Sequence, residues 1–159
     1  MPGSEYPELC FGSDIHSGDL WRFIESIQSE LSSKRGGPQL LGQVDQSKIV
    51  REFAEAANED VFFRGIFWEG SLGGLIWAAI HVDNFNRRFC LINVLAVRKD
   101  LRGKGLGRQL YVSCEEWSSS KGAKGIEMQV LPGDRDAKNF CESKGLVARS
   151  LIMYKPLDG

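Results

Sequence analysis

Between Val97 and Arg108 the chain reads Val-Arg-Lys-Asp-Leu-Arg-Gly-Lys-Gly-Leu-Gly-Arg. An apolar run, Phe89 to Val97, precedes it, and a helical pattern starts near Leu106, so the stretch is the turn between a strand and a helix. Glycines at 103, 105 and 107 alternate with Arg102, Lys104, Leu106 and Arg108. Glycine takes positive φ readily and lets the backbone approach a ligand, while the first turn of a helix leaves N–H donors unpaired at the positive end of its dipole. Together these make a cradle for a phosphate group. The plainer reading is a solvated basic turn whose glycines only reverse the chain.

The flanking pattern fixes the fold class. Residues 1–8, with two prolines and a glycine, read as a loose leader, and Leu9 to Ser13 as a short strand. From Asp19 to Leu31, apolar residues at 20, 23, 24, 27 and 31 predict an amphipathic helix, ended by Arg35-Gly36-Gly37-Pro38. A second helix, Ser47 to Asn58, buries Ile49, Val50, Phe53 and Ala57. The period then changes to two. Val61 to Trp68 and Leu72 to Asp83 form a hairpin about Glu69-Gly70-Ser71, and a turn at Asn84 to Arg87 leads into the strand Phe89 to Val97. The next helix buries Leu106, Leu110, Cys114 and Trp117 and ends at Gly122. Gly125 to Leu131 is a further strand. A helix capped by Asp134 stops at Gly145, and Leu146 to Tyr154 supplies the last one or two strands. The strand–loop–helix–strand unit between 89 and 131 is a crossover that makes one strand pair parallel. The whole is a mixed α/β (α+β) domain with a central, mostly antiparallel sheet flanked by helices.

The 159 residues suffice for one domain, 1–159, with its own core. A formal net charge of -1 argues against bulk neutralisation of a nucleic acid, so the local basic cluster points to a small anion. Cysteines 10, 90, 114 and 141 form no C-x-x-C pair, so no metal site is expected and free thiols of a cytoplasmic protein are the simpler reading. The N-terminal stretch has no long apolar segment of the kind that spans a membrane.

Two familiar phosphate loops do not fit. A P-loop requires lysine followed by serine or threonine after its last glycine, whereas Gly107 is followed by Arg108. The dinucleotide fingerprint is G-x-G-x-x-G, whereas here the third glycine comes one residue early. What does fit is [RQ]-x-x-G-x-[GA], in Arg102-Gly103-Lys104-Gly105-Leu106-Gly107, and by it the chain resembles the GNAT N-acetyltransferase superfamily. Asp134 to Ala137, Asn139, Phe140 and Gly145-Leu146 resemble that family's second signature, and the likeness covers roughly residues 60 to 155.

The resemblance implies the GNAT-type acyl-CoA N-acyltransferase fold and acetyl-coenzyme A as cofactor. It implies that Leu95, Ala96 and Val97 hold the pantetheine and thioester, and that Arg102, Gly103, Lys104, Gly105, Leu106, Gly107 and Arg108 hold the pyrophosphate. Asp134, Asn139 and Phe140 would flank it. The implied reaction is direct acetyl transfer to a primary amine of a small molecule or peptide, with neither nucleic acid nor membrane as partner; a homodimer is compatible with it.

Such a transfer needs a neutral amine, donors at the thioester oxygen and a proton for the leaving thiolate. Many family members carry a glutamate or histidine on the strand before the loop. Here the face assigned to Leu91, Asn93 and Leu95 has nothing ionisable, and Asn93 can orient an amine or water but not take its proton. His81, Asp83 and Glu69 are replacement bases, although a lone strand-end histidine is more often structural. Cys141 stands at the position of the family's acidic tyrosine, with core packing as its simpler role, and Tyr154 is a lesser acid candidate. Trp21, Phe53, Phe62, Phe63, Phe67, Trp68 and Trp77 read chiefly as core. A second function follows from the missing carriers: a coenzyme A binding module with little catalysis, acting as a sensor or through a partner.

Overall fold

A computed structural model describes residues 8–11, 14–33 and 60–157 of the chain. Among these residues five strands form one sheet in the order of the sequence: β1 (Glu8–Phe11), β2 (Val61–Trp68), β3 (Ser71–Val82), β4 (Arg88–Val97) and β5 (Ile126–Met128). The first four are antiparallel, and β5 runs parallel to β4 as the crossover requires. Among the described residues three helices accompany the sheet, α1 (Ser17–Ser32), α2 (Leu106–Ser120) and α3 (Arg135–Ser143), with a 3-10 turn at Lys99–Leu101. The mixed α/β class read from the sequence is the one observed. The helix expected at Ser47 to Asn58 and residues 1–7 of the expected leader lie outside the described residues, while Glu8, read as the end of that leader, begins β1.

Strand alternation sends side chains to two cores. On one face Ile66, Ile76, Ala78 and Ile92 pack with Leu106, Leu110, Tyr111 and Cys114 of α2; on the other, Phe63, Leu75 and Trp77 pack with Leu20, Phe23 and Ile24 of α1. Phe63 and Trp77 stack across β2 and β3 with ring centroids 5.6 Å apart. Because both faces are covered, β3 is buried without a break from Leu72 to Ala79.

The terminal glycines stop their helices as read. Gly122 and Gly145 take φ of 76° and 87°. The amides of Ala123 and Leu146 then reach back to the carbonyls of Ser118 and Cys141, both at 3.0 Å, each closing a Schellman turn. Asp134 accepts from the Ala137 amide at 3.2 Å, as a capping aspartate should. Asp19, expected at the start of α1, instead lies in its first turn and pairs with Arg22.

Two expectations need correction. The strand expected at Gly125 to Leu131 is hydrogen-bonded only through Ile126–Met128. Leu146 to Tyr154 forms no strand: residues 147–157 are all exposed, and the apolar pattern there is not satisfied within the described residues.

The approach to the glycine loop is fixed by close packing. The Arg98 amide donates to the Gly73 carbonyl at 2.7 Å, and fully buried Leu101 of the 3-10 turn lies directly over Gly73. A Cβ on Gly73 would collide with Leu101 Cδ1. Gly73→Ala should therefore cost about 1–3 kcal/mol, seen as a lowered thermal midpoint; an unchanged midpoint would show that Leu101 moves without strain.

At the other end of the sheet, Asp83 builds the β3–β4 turn. Its carboxylate accepts from the amides of Phe85 and Arg87 at 2.9 Å and from Arg87 Nε at 2.7 Å. These bonds, the Arg87 amide foremost, hold the carboxyl below the usual range. A depressed folded-state pKa gives stabilisation that is complete above the unfolded value, about 4, and lost as pH falls through the folded value. Amide exchange at Phe85 and Arg87 should thus accelerate below about pH 4 beyond the intrinsic trend, and Asp83→Asn should abolish that acid response.

Candidate functional site

The site begins where two strands part. β3 is bonded to β4 along the whole of the latter, but β5 pairs only with Cys90, Leu91 and Ile92. At that point the β3–β4 register slips: Ala78 faces Ile92 and Trp77 faces Val94, leaving Asn93 as the extra residue of a bulge. The bulge also breaks alternation, so Leu95 packs with the α2-side core while Val94 and Ala96 turn to the α1 side. The shared face assigned to Leu91, Asn93 and Leu95 is therefore interrupted. Beyond the bulge, the edge of β4 away from β3 has no strand beside it among the described residues.

A cavity of about 700 Å³ fills the fork, within the range of small-molecule sites. Asn93 to Val97 form one wall and Met128 to Leu131 the opposite one. Ile24, Ile27 and Leu31 of α1 close it on one side, Ala137 and Phe140 of α3 on another, and the glycine loop forms its end.

Two helix N-termini meet this cavity, and they differ. The start of α3 is occupied by its own Asp134. The start of α2 is open. Its N-cap is Gly105, at φ 78°, which has no side chain to cap with, and no acidic residue lies in the first turn. Gln109 is the first residue to bond back, to the Gly105 carbonyl at 3.1 Å. The amides of Leu106, Gly107 and Arg108 therefore have no acceptor among the described residues, and the helix dipole adds to them. Gly103 likewise takes positive φ, 79°, whereas Gly107 is helical and a Cβ there would meet only ordinary contacts.

Of the expected cofactor residues, Leu95, Ala96, Val97, Arg102, Gly103, Gly105, Leu106, Gly107, Arg108, Asp134 and Phe140 border the cavity. Lys104 and Asn139 do not; Lys104 Nζ lies 5.0 Å from the centre of the Trp68 ring. Arg102 borders the cavity, but its side chain is engaged elsewhere. Nη1 and Nη2 grip the Glu30 carboxylate of α1 at 2.8 and 2.7 Å, while Nε donates to the Val97 carbonyl at 2.8 Å. The Glu30 partnership pushes the guanidinium pKa up. Arg102 thus ties the loop to α1, with its guanidinium engaged within the protein.

Of the proton-carrier candidates, only Asn93 borders the cavity. Its Nδ2 is buried without a hydrogen-bond partner. His81 pairs with Phe89 four residues up β3 from Trp77, about 13 Å along the strand. Its ring stacks on Phe89 at 5.8 Å and its buried Nε2 has no partner. Asp83 is spent on its turn, and Glu69 lies in the β2–β3 turn at φ 51°. Cys141 is buried on the inner side of α3, its thiol 3.9 Å from Met128 Sδ, and burial raises its pKa. Tyr154 stands in the exposed segment. Phe62, Phe63 and Trp77 are core, as expected, and Phe53 lies outside the described residues.

The sequence reading missed Glu30, Met128 and Asp136. Glu30 stands at the margin of the apolar stripe of α1, seven residues after Phe23 and 72 residues from Arg102, and nothing local marks it as the partner. Met128 had a usable signal, since it falls on the strand paired with β4.

Residues 24–146 match the model of the acetyltransferase (GNAT) family. The chain belongs to that family. No curated protein matches the sequence significantly. Solved structures of this GNAT fold include a Pyrococcus furiosus protein with 23% identity and a TM-score of 0.71, covering 96% of this chain and 100% of that one. Glucosamine-6-phosphate N-acetyltransferase of Arabidopsis thaliana has 20% identity and a TM-score of 0.63, covering 97% and 100%. An aminoglycoside acetyltransferase from an uncultured soil metagenomic sample, in complex with sisomicin, has 16% identity and a TM-score of 0.67, covering 96% of each chain.

Because the Arg102–Glu30 pair is bidentate but a third exposed on each side, solvent screens it. A double-mutant cycle of Glu30→Ala and Arg102→Ala by urea unfolding should give a coupling of about 0.2–1 kcal/mol. A coupling near zero would mean that Arg102 is held by Val97 alone.

Proposed function

We propose that the chain transfers an acetyl group from acetyl-coenzyme A to a primary amine of a small molecule or peptide by direct transfer. The observation carrying this reading is continuous: the free edge of β4 from Asn93 to Val97 leads straight into the uncapped start of α2. An extended amide-bearing arm can lie along the first like an added strand, and a pyrophosphate can accept from the second. Leu95, Ala96 and Val97 are assigned to the pantetheine and thioester; Gly103, Gly105, Leu106, Gly107 and Arg108 to the pyrophosphate. Arg102 positions the loop, Lys104 stands at its rim, and Phe140 packs alongside. Asp134 supports the same end by fixing α3; Asn139, exposed and away from the cavity, is given no part.

The bound thioester supplies an activated acyl carbon. A backbone N–H of the β4 edge can donate to its oxygen, and the Asn93 amide can orient the amine beside it. As the C–N bond forms the C–S bond breaks; the amine proton leaves to water and the departing thiolate takes a proton from water, rather than through His81, Cys141 or Tyr154, none of which borders the cavity. The same fact favours a second reading, a coenzyme A binding module with little turnover.

Incubating the protein with acetyl-coenzyme A and a panel of amines, with thiol release and product mass as readouts, separates the two. The enzyme gives product, whereas tight coenzyme binding with no turnover across the panel selects the module. Gly105→Val, which forces a β-branched residue into the left-handed region, should weaken coenzyme binding about tenfold or more. Arg102→Ala should cost less, because its side chain faces Glu30. Cys141→Ala should leave turnover unchanged, and a marked drop would return Cys141 to the mechanism.

A further inference from the structure

Of the four cysteines, two meet. Cys90 on β4 and Cys114, two turns beyond Leu106 in α2, enter the same core with their sulfurs 3.9 Å apart, and both are 0% accessible. The other two are placed differently. Cys10 stands on β1, three strands from β4, and Cys141 touches the thioether of Met128, which cannot complete a disulfide. The Cys90–Cys114 pair packs as two small apolar groups when reduced, and its sulfurs lie about 2 Å beyond a disulfide bond length.

A third group makes the pair more than packing. Ser118, one turn further along α2, is a buried polar residue of the same core. Its hydroxyl donates to the Cys114 carbonyl at 2.7 Å, and its oxygen lies 3.9 Å from the Cys114 sulfur. With its hydrogen committed, that oxygen is left able to accept the Cys114 proton. The hydrogen bond from Cys114 also holds the Cys90 thiol below its ordinary value, while the same bond and burial push Cys114 up. One sulfur of the pair is thus readier to ionise than the other.

We propose that Cys90 and Cys114 are a redox pair, closed by hydrogen peroxide into an intrachain disulfide that staples α2 to β4. The Cys90 thiolate attacks one peroxide oxygen: an S–O bond forms, the O–O bond breaks, and the departing hydroxide takes up the Cys90 proton as water. Cys114 then attacks the sulfenic sulfur of Cys90. The S–S bond forms, the S–O bond breaks, and a second water leaves with the Cys114 proton handed on through Ser118. Two electrons pass from sulfur to peroxide, and no further reactant is needed. The closed core admits no solvent, so the reaction waits on α2 lifting from the sheet, and that opening sets its rate.

What lies between the two cysteines sets the consequence. They are 24 residues apart, and the span holds the outer half of β4, the 3-10 turn, the glycine loop and the open start of α2. A bond between its ends closes the span into a ring and fixes how α2 leaves the loop. Neither sulfur borders the cavity, so the staple forms whatever the cavity binds.

Treatment of the folded full chain with excess hydrogen peroxide tests this, read by intact mass, by alkylation of the remaining thiols in urea and by peptide mapping without reductant. The expected product has the mass of one chain less two hydrogens, two fewer alkylated cysteines, and a linked peptide joining Cys90 to Cys114, all reversed by dithiothreitol. It should unfold at higher urea, because the ring restricts the unfolded chain. Cys10→Ser combined with Cys141→Ala should leave the linkage intact. Cys114→Ala, in a chain with the circular dichroism of the parent, should instead let dimedone capture Cys90 as its sulfenic acid. Oxygen uptake at Cys90 or Cys114 in the parent without a linked peptide overturns the proposal. So does a linkage that forms only in urea, or a folded chain in which both thiols survive the peroxide.

Discussion

Everything about the site depends on β4 having two unlike edges. One edge is bonded to β3 from Arg88 to Val97; the other is bonded to β5 only as far as Ile92. The bulge at Asn93 is the point of divergence. It lets β4 continue as part of a rigid sheet while its outer backbone groups face a cavity instead of a strand. Had β5 stayed paired for three residues more, those groups would be used within the protein and no extended ligand could read them.

Helix ends then decide where charge is accepted. α2 and α3 both begin at the cavity, yet they are not equivalent anion sites. Asp134 fills the first turn of α3 with its own carboxylate, and Asp136 adds a second negative charge. α2 begins with a glycine and carries no acid in its first turn. Arg102 at the loop is paired with Glu30, so its charge is answered within the protein, while the first-turn amides of α2 are not. Amides fixed by backbone geometry cost nothing to reorient when a ligand arrives.

The legible parts of the chain were those governed by short-range rules. The hairpin, the crossover, the glycine terminators and the Asp134 cap are each written in a few neighbouring residues. The loop was legible for the same reason: its pattern places left-handed glycines before a helix. Three features were not. The Arg102–Glu30 pair joins residues far apart in sequence. The bulge at Asn93 interrupts an alternation that reads as continuous, because a bulge needs no special residue. The segment after Leu146 has the composition of a strand, but composition does not by itself supply a ladder partner, and none is bonded to it among the described residues. His81 and Cys141 each allow a proton-carrying and a packing role in the sequence, and the Phe89 stack and the Met128 contact belong to the packing one.

The fork at Asn93 sets stability and function against each other. A sheet zipped shut past Ile92 would gain ladder hydrogen bonds and bury more of Met128, and it would be a better-folded protein with nowhere to put a ligand. Substitutions that strengthen this sheet are thus not neutral to its use. Improvement of the chain by stability alone would favour closing the gap, so a stabilised variant should be judged first by whether β4 still parts from β5.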